Sequence, residues 1–303
     1  MFQLIMLTPM PSQRPASLCS TPFLKPPCAF CKASSTNPLI VPPKLKSPVN
    51  SNPPFVSSRS SDPKPSLKRS PCQQPIFDSI LETHIKDHNL NYLMNKVCRG
   101  WNYTSNHLSD EDGRIVVIWK DSVSVNILCQ SRQTLTCEVK IPSSSLFVYT
   151  AIYASNESTE RADLWVELLN LHHTYALSTV PWMLGGDLNQ IIHYDEHSIA
   201  SVNSFTARMV ELKDCLLQME LFDMRFQGPL FTWSNRQPDD PIAKKLDCLL
   251  INNHVLNLFP NCTSFFLPTF FSDHSPCITD LSFTIPSSGT RPFKFFNYLT
   301  LHP

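Results

Sequence analysis

The chain has 303 residues, of which 42% are hydrophobic and 17% are charged, so it is long enough to bury a sizeable core in one or two domains. No apolar stretch approaches the roughly 20 residues of a membrane span, and the irregular spacing of the 11 cysteines fits neither a secreted disulfide framework nor a paired zinc set. The formal net charge of zero combines a basic first 70 residues with an acidic remainder, and an acidic domain does not by itself indicate a nucleic-acid binder.

Residues 1–70 differ in composition from the rest of the chain. They hold about half of the 27 prolines, many serines and threonines, and Asp62 as their single acidic residue. Such a segment cannot bury enough apolar surface to offset its loss of conformational entropy, so we predict a disordered basic tail. The alternative is that this Ser-rich, acid-poor N-terminus is an organelle transit peptide.

From about residue 76 onward, short apolar strands alternate with amphipathic helices. Residues 114–120 are a continuous apolar run, as in a buried strand, and residues 134–141 alternate strictly between apolar and polar side chains. We predict that these two segments are neighbouring strands. Two more apolar strands are predicted at residues 146–154 and 180–184, with a helix over residues 162–176 between them.

A second helix is predicted by its N-cap and by its apolar stripe. Ser204 can cap it, and Phe205, Met209, Leu212 and Leu216 recur at helical spacing on a single face.

Further strands are predicted at residues 230–234, 245–252 and 277–284, with a short helix at residues 254–259. Strands that follow strands, with helices inserted, favour an α/β fold of mixed sheets over a simple parallel sheet.

The most informative motif is Gly-Gly-Asp-Leu-Asn at residues 185–189, directly after an apolar strand. Side chains two apart in an extended segment point the same way, so Asp187 and Asn189 are expected to project together and could activate and orient a water molecule. The alternative is that the motif is merely a turn.

Two later motifs carry acid and base side chains. Asp273 and His274 precede the last predicted strand, and an Asp beside a His can hold the imidazole in one tautomer or stabilise a phosphate. Asp247 lies in an otherwise apolar strand, where an unpaired charge is costly, so we expect a partner such as a histidine. Taken alone, the Asp273–His274 pair could be a capped turn.

Three further residues are informative because of their order along the chain. Tyr153 and Asn156 follow one strand in the sequence AIYASN, and Glu82 lies in ILETHI. Singly, Tyr153 is a common core aromatic and Glu82 a common solvated acid. The joint order is Glu, Tyr-x-x-Asn, Gly-Asp-x-Asn, Leu-Asp, Ser-Asp-His.

This ordered set resembles the endonuclease/exonuclease/phosphatase family. The surrounding segments LETHIKDHNLN, GRIVVIW, GGDLNQII, GPLFTWSNRQ, KKLDCLLIN and FLPTFFSDHSPC are similar to the endonuclease domains of plant-type LINE (non-LTR) retrotransposons. The closing RPFKFFNYLTLHP resembles the segment that joins such a domain to its reverse transcriptase. The resemblance implies an endonuclease-like domain over residues 76–285 and a linker remnant over residues 286–303.

For the fold, the resemblance implies a four-layer αββα sandwich of two mixed sheets with outer helices. For the site, it implies that Glu82 holds Mg²⁺ or Mn²⁺ and that Asp273 lies by the metal or the leaving group. It also implies that Asn156 shapes the adjoining substrate-binding loop.

The same resemblance assigns the reacting groups. Asp187, helped by Asn189, is expected to position and deprotonate the attacking water. His274, paired with Asp247, is expected to bind a phosphate oxygen, and Tyr153 to contact the phosphate or the departing oxygen.

Two departures from the family pattern bear on activity. The family opens with a strand that ends in a metal-binding Asn, and nothing before Glu82 matches this strand. Only a short stub at residues 75–81 could replace part of the next strand. We therefore expect an N-terminally truncated domain whose sheet lacks its first strand. In addition, Cys248 stands where the family usually has Arg, which could alter DNA contact or the charge near Asp247.

The sequence thus favours a Mg²⁺-dependent, DNA-nicking endonuclease of retrotransposon origin. The alternatives are a catalytically inactive relic and a DNA-binding module, while the LINE-like segments argue against a small-molecule phosphoesterase. The expected partner is DNA, no protein or membrane partner is indicated, and a DNA substrate would require nuclear location.

Overall fold

The computed structural model describes residues 3–8, 74–269 and 272–282, and for residues 3–8 it describes the backbone alone. All of these belong to one unit that joins residues 1–12 to residues 73–303. The predicted linker remnant at residues 286–303 and most of the predicted tail at residues 1–70 lie outside the described residues.

The described residues form fifteen β-strands and four α-helices. The strands are, in chain order, β1 Gln3–Thr8, β2 Phe77–Leu81, β3 Asn102–Ser105, β4 Ile115–Trp119, β5 Ser124–Gln130, β6 Thr134–Lys140, β7 Phe147–Tyr153, β8 Trp182–Asp187, β9 Phe222–Asp223, β10 Phe226–Gln227, β11 Trp233–Ser234, β12 Ala243–Lys244, β13 Asp247–Ile251, β14 Thr263–Phe266 and β15 Cys277–Asp280. The helices are α1 Asp87–Val97, α2 Ser158–Thr174, α3 Ala207–Gln218 and α4 Asn253–Leu258.

The first sheet has seven strands in the order β10-β14-β15-β1-β2-β4-β3. The expectation that this sheet lacks a first strand is wrong, because β1 lies in its interior. It pairs antiparallel with β2, with Gln3 opposite Leu81, and parallel with β15, with Ile5 opposite Cys277. An N-terminal segment remote from residue 74 in sequence therefore satisfies the backbone groups that β2 and β15 would otherwise leave unpaired.

The second sheet has six strands in the order β5-β6-β7-β8-β13-β9, and β11 and β12 form a separate two-stranded ladder. Within the second sheet, β7 and β8 are parallel, whereas β8 and β13 are antiparallel. Both large sheets are therefore mixed, as the alternation of strands and helices predicted.

The two large sheets share one apolar core. Leu135, Cys137 and Val139 of β6 contribute alternate side chains to it, as the period-two pattern requires, and Ile115 and Val117 of β4 contribute theirs from the first sheet. The prediction that these two segments are neighbouring strands is therefore wrong. Their apolar patterns reflect burial against a common core, which strands in different sheets can share.

Helices α1, α2 and α3 pack on the faces of the sheets away from this core, whereas Val255 of α4 lies within it. Leu90 and Met94 of α1 pack with Val116 and Ile118 of β4. The other large cluster combines side chains of α2 and α3 with Val148, Ile152, Leu184 and other residues of the second sheet. None of the helices in the described part of the chain has the length and apolar character that crossing a bilayer requires.

The predicted helices are present with shifted ends. Helix α2 begins at Ser158, four residues before its apolar spacing becomes visible, because its first turn is polar. Helix α3 is capped by Thr206, whose hydroxyl accepts a hydrogen bond from the Met209 amide at 3.3 Å, and not by Ser204. Phe205 precedes the helix, so it is not part of the core stripe.

The strand ends also differ from their apolar patterns. Strand β8 extends through Gly185 and Gly186 to Asp187, because residues without side chains can still pair through their backbones. The segment at residues 230–234 contributes only the two-residue strand β11, and the last strand ends at Asp280.

We expect Ile5→Pro to destabilise the protein by about 1–3 kcal/mol, because proline removes a ladder hydrogen bond from an interior strand and leaves its acceptor without a donor. Urea unfolding of the full chain measures the change. The control is Ile5→Val, which keeps the backbone amide and a β-branched side chain. Equal stability of the two variants would mean that β1 contributes nothing to the sheet.

Candidate active site

Three strand ends meet at one edge of the second sheet. Asp187, the last residue of β8, lies opposite Asp247, the first residue of β13, and opposite Tyr153, the last residue of β7. Gly186 makes this approach possible: it has φ +149°, and a side chain there would overlap the carbonyl oxygen of Ile152. The register therefore places two carboxylates and a phenol side by side.

His274 joins the two carboxylates from the segment that leads into β15. Its Nδ1 atom lies 3.0 Å from each carboxylate oxygen of Asp247, and its Nε2 atom lies 3.9 Å from Oδ2 of Asp187. All three residues are buried. The histidine partner expected for Asp247 is thus present, and it comes from the first sheet, so the cluster spans both sheets.

Burial sets the protonation of this cluster. It raises the pKa of Asp187 to about 7, and the negative charge of Asp247 adds to this effect. Burial disfavours the charged form of His274, but the charge of Asp247 and the hydrogen bond to it outweigh burial and raise the pKa of His274 to about 9. At neutral pH, His274 is therefore cationic, and Asp187 can exchange a proton.

Asn189 fixes the turn that follows Asp187. It adopts a left-handed backbone with φ +47°, a conformation that Asn tolerates better than most residues. Its backbone amide donates to Oδ1 of Asp187 at 2.8 Å, and its side-chain amide donates to the carbonyl of Ala154 at 2.7 Å. The first three residues of the Gly-Gly-Asp-Leu-Asn motif thus end strand β8, and the turn at Asn189, which is not extended as expected, orients the carboxylate of Asp187.

Tyr153 links Glu82 to the same edge. Its hydroxyl donates to Oε1 of Glu82 at 3.2 Å, and the guanidinium carbon of Arg114 lies 5.8 Å from the centre of its ring. Burial raises the pKa of Tyr153 well above its usual range, and the charges of Glu82 and Asp187 raise it further. Tyr153 is therefore a neutral hydrogen-bond donor at neutral pH.

The other two predicted site residues have hydrogen-bond partners outside the cluster. Oδ2 of Asp273 accepts a hydrogen bond from Nε1 of Trp233 at 3.2 Å. Asn156 is exposed, and its backbone carbonyl accepts a hydrogen bond from the buried guanidinium of Arg161 at 2.7 Å. The structure thus brings Asp187, Asp247, His274, Tyr153 and Glu82 into contact through hydrogen bonds or charges, with Asp273 adjoining.

Sequence reasoning missed the role of Lys245. Its side chain is 1% exposed, and its Nζ atom lies 2.8 Å from Asp223, 3.4 Å from Glu196 and 3.1 Å from Sγ of Cys248. Cys248 packs on the helix side of β13, with the cluster that includes α2 and α3. Cys248 thus contacts a cation supplied three residues earlier. In the sequence, this cation is visible only as the second Lys before Leu-Asp.

The cluster also has the composition of a metal site. Asp187, Asp247 and His274 each offer one ligand atom within 4.8 Å of the others, and they form the one such group found among the described residues. Carboxylate oxygens are hard ligands that suit Mg²⁺ or Mn²⁺. The charge of Glu82 contributes to the raised pKa of Asp187, which places a third carboxylate within electrostatic range.

No family model and no curated protein matches the chain, whereas solved structures do. The endonuclease domain of TRAS1, a telomere-specific non-LTR retrotransposon, is 11% identical, with a TM-score of 0.49 over 59% of this chain and 78% of that one. The 3′ phosphatase NExo from Neisseria, bound to a product DNA hairpin, is 12% identical, with a TM-score of 0.49 over 67% and 87%. Beta toxin from Staphylococcus aureus is 12% identical, with a TM-score of 0.45 over 71% and 86%. The similarity is one of backbone arrangement.

We expect Lys245→Met to destabilise the protein by about 3 kcal/mol, because it leaves the carboxylates of Asp223 and Glu196 without their buried cation. Partial exposure of Asp223 keeps the effect near the lower end of the usual range for a broken buried pair. The control, Lys244→Met, removes a cation–π contact to Trp233 and is expected to cost about 0.5–1 kcal/mol. Similar urea midpoints for the two variants would contradict this account.

The metal-free protein is expected to lose stability as pH rises. Folding raises the pKa of Asp187 to about 7 and that of His274 to about 9. The protonated forms of both groups therefore stabilise the folded state at low pH, and this stability is lost as pH rises through the folded pKa values. Urea midpoints measured in chelator should fall between about pH 4 and pH 7 as Asp187 loses its proton, and between pH 6.5 and about 9 as His274 does.

Asp187→Asn should remove the part of this decline between about pH 4 and pH 7 and keep the part between pH 6.5 and about 9. Asp214→Asn, an exposed change on α3, should keep both parts. A flat pH profile for the unsubstituted protein would show that the carboxylates and the imidazole do not interact as described.

Proposed function

We propose that this chain is a Mg²⁺-dependent phosphodiesterase of the endonuclease/exonuclease/phosphatase family that nicks DNA. The observation that carries the proposal is the buried cluster of Asp187, Asp247 and His274, which combines a carboxylate able to take a proton with a cationic imidazole. Such a pair suits hydrolysis of a phosphate ester, because one group activates water and the other stabilises negative charge.

In this proposal, Asp187 is the general base. The hydrogen bond from the Asn189 amide occupies its Oδ1 atom, which leaves Oδ2 to accept a proton from water. A pKa near 7 is close to the value that favours a general base at neutral pH. The water oxygen bonds to phosphorus while its proton passes to Asp187, and the bond from phosphorus to the leaving oxygen breaks.

His274 and Tyr153 bind the phosphate in this scheme. The 3.9 Å between Nε2 of His274 and Oδ2 of Asp187 is too long for a direct hydrogen bond, so both atoms can bind a group placed between them. Asp247 keeps the imidazole of His274 charged and fixes its orientation. The neutral hydroxyl of Tyr153 can donate a hydrogen bond to the phosphate or to the departing oxygen.

Glu82 and Asp273 are the proposed metal-holding residues, beside Asp187. A divalent ion bound by these residues would supply positive charge to stabilise the charge that develops on phosphorus and on the leaving oxygen. Asn156, exposed on the adjoining loop, is proposed to contact the substrate.

The sequence motifs support the finer parts of the proposal. The resemblance to plant-type LINE endonuclease domains favours DNA as substrate, nuclear location, a four-layer αββα sandwich over residues 76–285 and a linker remnant over residues 286–303. The predicted basic tail at residues 1–70 includes β1 and otherwise lies outside the described residues. Transit-peptide function of the same N-terminus remains the alternative for location.

One observation favours the inactive alternatives, a relic or a DNA-binding module. Strand β1 contains no Asn, and its antiparallel pairing with β2 places its first residue, Gln3, opposite Leu81, next to Glu82. The Asn that the family uses as a metal contact thus has no equivalent in β1. No comparable observation favours a small-molecule phosphoesterase.

The test is nicking of supercoiled plasmid by the full chain, with Mg²⁺ and with chelator. We expect Mg²⁺-dependent nicking that Asp187→Asn lowers by about 10²- to 10⁴-fold, because the general base is lost. Asp214→Asn, which removes an exposed carboxylate on α3, is the matched control and should keep the activity.

Each other outcome selects an alternative. Nicking that persists in chelator, or equal rates for the two variants, would contradict the assignment of Asp187. Binding of DNA at low salt without nicking would indicate a DNA-binding module. A folded protein that does neither would be an inactive relic.

A further inference from the structure

Residues 232–234 connect the backbone near Asp247 to the backbone near His274. Thr232 donates its backbone amide to the carbonyl of Lys244 at 2.9 Å, on the side of Asp247. On the side of His274, the Ser275 amide donates to the carbonyl of Thr232 at 2.7 Å. Residues 232–234 therefore bridge two segments that are distant in sequence.

The hydroxyl of Thr232 strengthens the contact with Asp247. Its Oγ1 atom accepts hydrogen bonds from the backbone amides of Leu246 at 3.1 Å and Asp247 at 3.0 Å. A hydroxyl oxygen has two lone pairs, and these two amides use both. Thr232 is fully buried, so water is not at hand to replace the hydroxyl.

The other half of the pair is held just as closely. The Ser234 amide donates to the carbonyl of Asp273 at 3.1 Å, and Trp233 forms a β-bridge with His274. His274 is thus flanked on both sides by backbone hydrogen bonds to residues 232–234. Within this bridge, the Thr232 hydroxyl is the side-chain group that binds the backbone of Asp247 itself.

We propose that Thr232 is a positioning residue for the Asp247–His274 pair. Its hydroxyl holds the start of β13, and its carbonyl holds the residue after His274, so one residue sets the separation of the two side chains. This separation determines whether both oxygens of Asp247 reach Nδ1 of His274 at 3.0 Å. The consequence for phosphate hydrolysis rests on the proposed function, whereas the effect on the pair does not.

The test compares three variants of the full chain. Thr232→Val keeps the shape but removes the acceptor, and Thr232→Ser restores the acceptor. The control is Thr263→Val on β14, which removes another buried threonine hydroxyl, one that donates to the Arg225 carbonyl at 3.2 Å in the other sheet.

The first readout is the downfield proton resonance of the Nδ1–H group of His274, assigned by its loss in His274→Gln. We expect the resonance to be lost or shifted upfield in Thr232→Val and to be kept in Thr232→Ser and Thr263→Val. This readout needs no activity. Absence of the resonance from the unsubstituted protein, or its persistence unshifted in folded Thr232→Val, would overturn the proposal.

The second readout is the nicking reaction. Since a misplaced catalytic group can cost on the order of 10²-fold, we expect Thr232→Val to lower kcat by up to that factor with little change in KM. Thr232→Ser should recover most of the rate, and Thr263→Val should match the unsubstituted protein. Equal rates for Thr232→Val and Thr263→Val would overturn the positioning role in catalysis.

The two readouts separate this inference from the proposed function. A resonance that depends on the Thr232 hydroxyl in a protein that nicks no DNA would support the positioning role and contradict the function. Normal nicking by a Thr232→Val protein that keeps the resonance would support the function and contradict the positioning role. Loss of the resonance in both Thr232→Val and Thr263→Val would indicate general loosening of the fold and contradict a specific role for Thr232.

Discussion

The antiparallel register of β8 and β13 is the constraint on which the rest of the site depends. It sets Asp187 opposite Asp247 in the protein interior, where two negative charges are costly to keep together. The structure meets this cost in two ways. The pKa of Asp187 is raised to about 7, and a cationic His274 lies against Asp247. The same two features give the site a base and a positive charge.

Because His274 reaches the cluster from the first sheet, the site exists only when both sheets pack on their common core. Asp187 and Asp247 belong to the second sheet, whereas His274 immediately precedes β15, which pairs with β1 and β14. Disturbing β1 is therefore expected to affect the site as well as the sheet. The bridge at residues 232–234 joins the two sides by backbone hydrogen bonds, as well as by the imidazole.

A second buried charge group lies on the other face of β13. Asp247 and Cys248 alternate between the two faces, so the lysine that contacts Cys248, Asp223 and Glu196 does not compete with His274 for Asp247. The cation on that face is Lys245, and it ties the short 3-10 helix Tyr194–Glu196 to β9.

Local sequence determined most of the secondary structure and the pairing of Asp247 with a histidine. The spacing of apolar residues and a charged residue within an apolar strand can both be read from a few neighbouring residues. The strands around Val117 and Ile152, and a histidine partner for Asp247, were therefore predictable. Sequence could not show that β4 and β6 face each other across a core, that Gln3–Thr8 joins the first sheet, or that Thr232 binds the backbone of Asp247. These depend on contacts between segments far apart in the chain, where apolar patterns are alike and only the packed structure selects one partner.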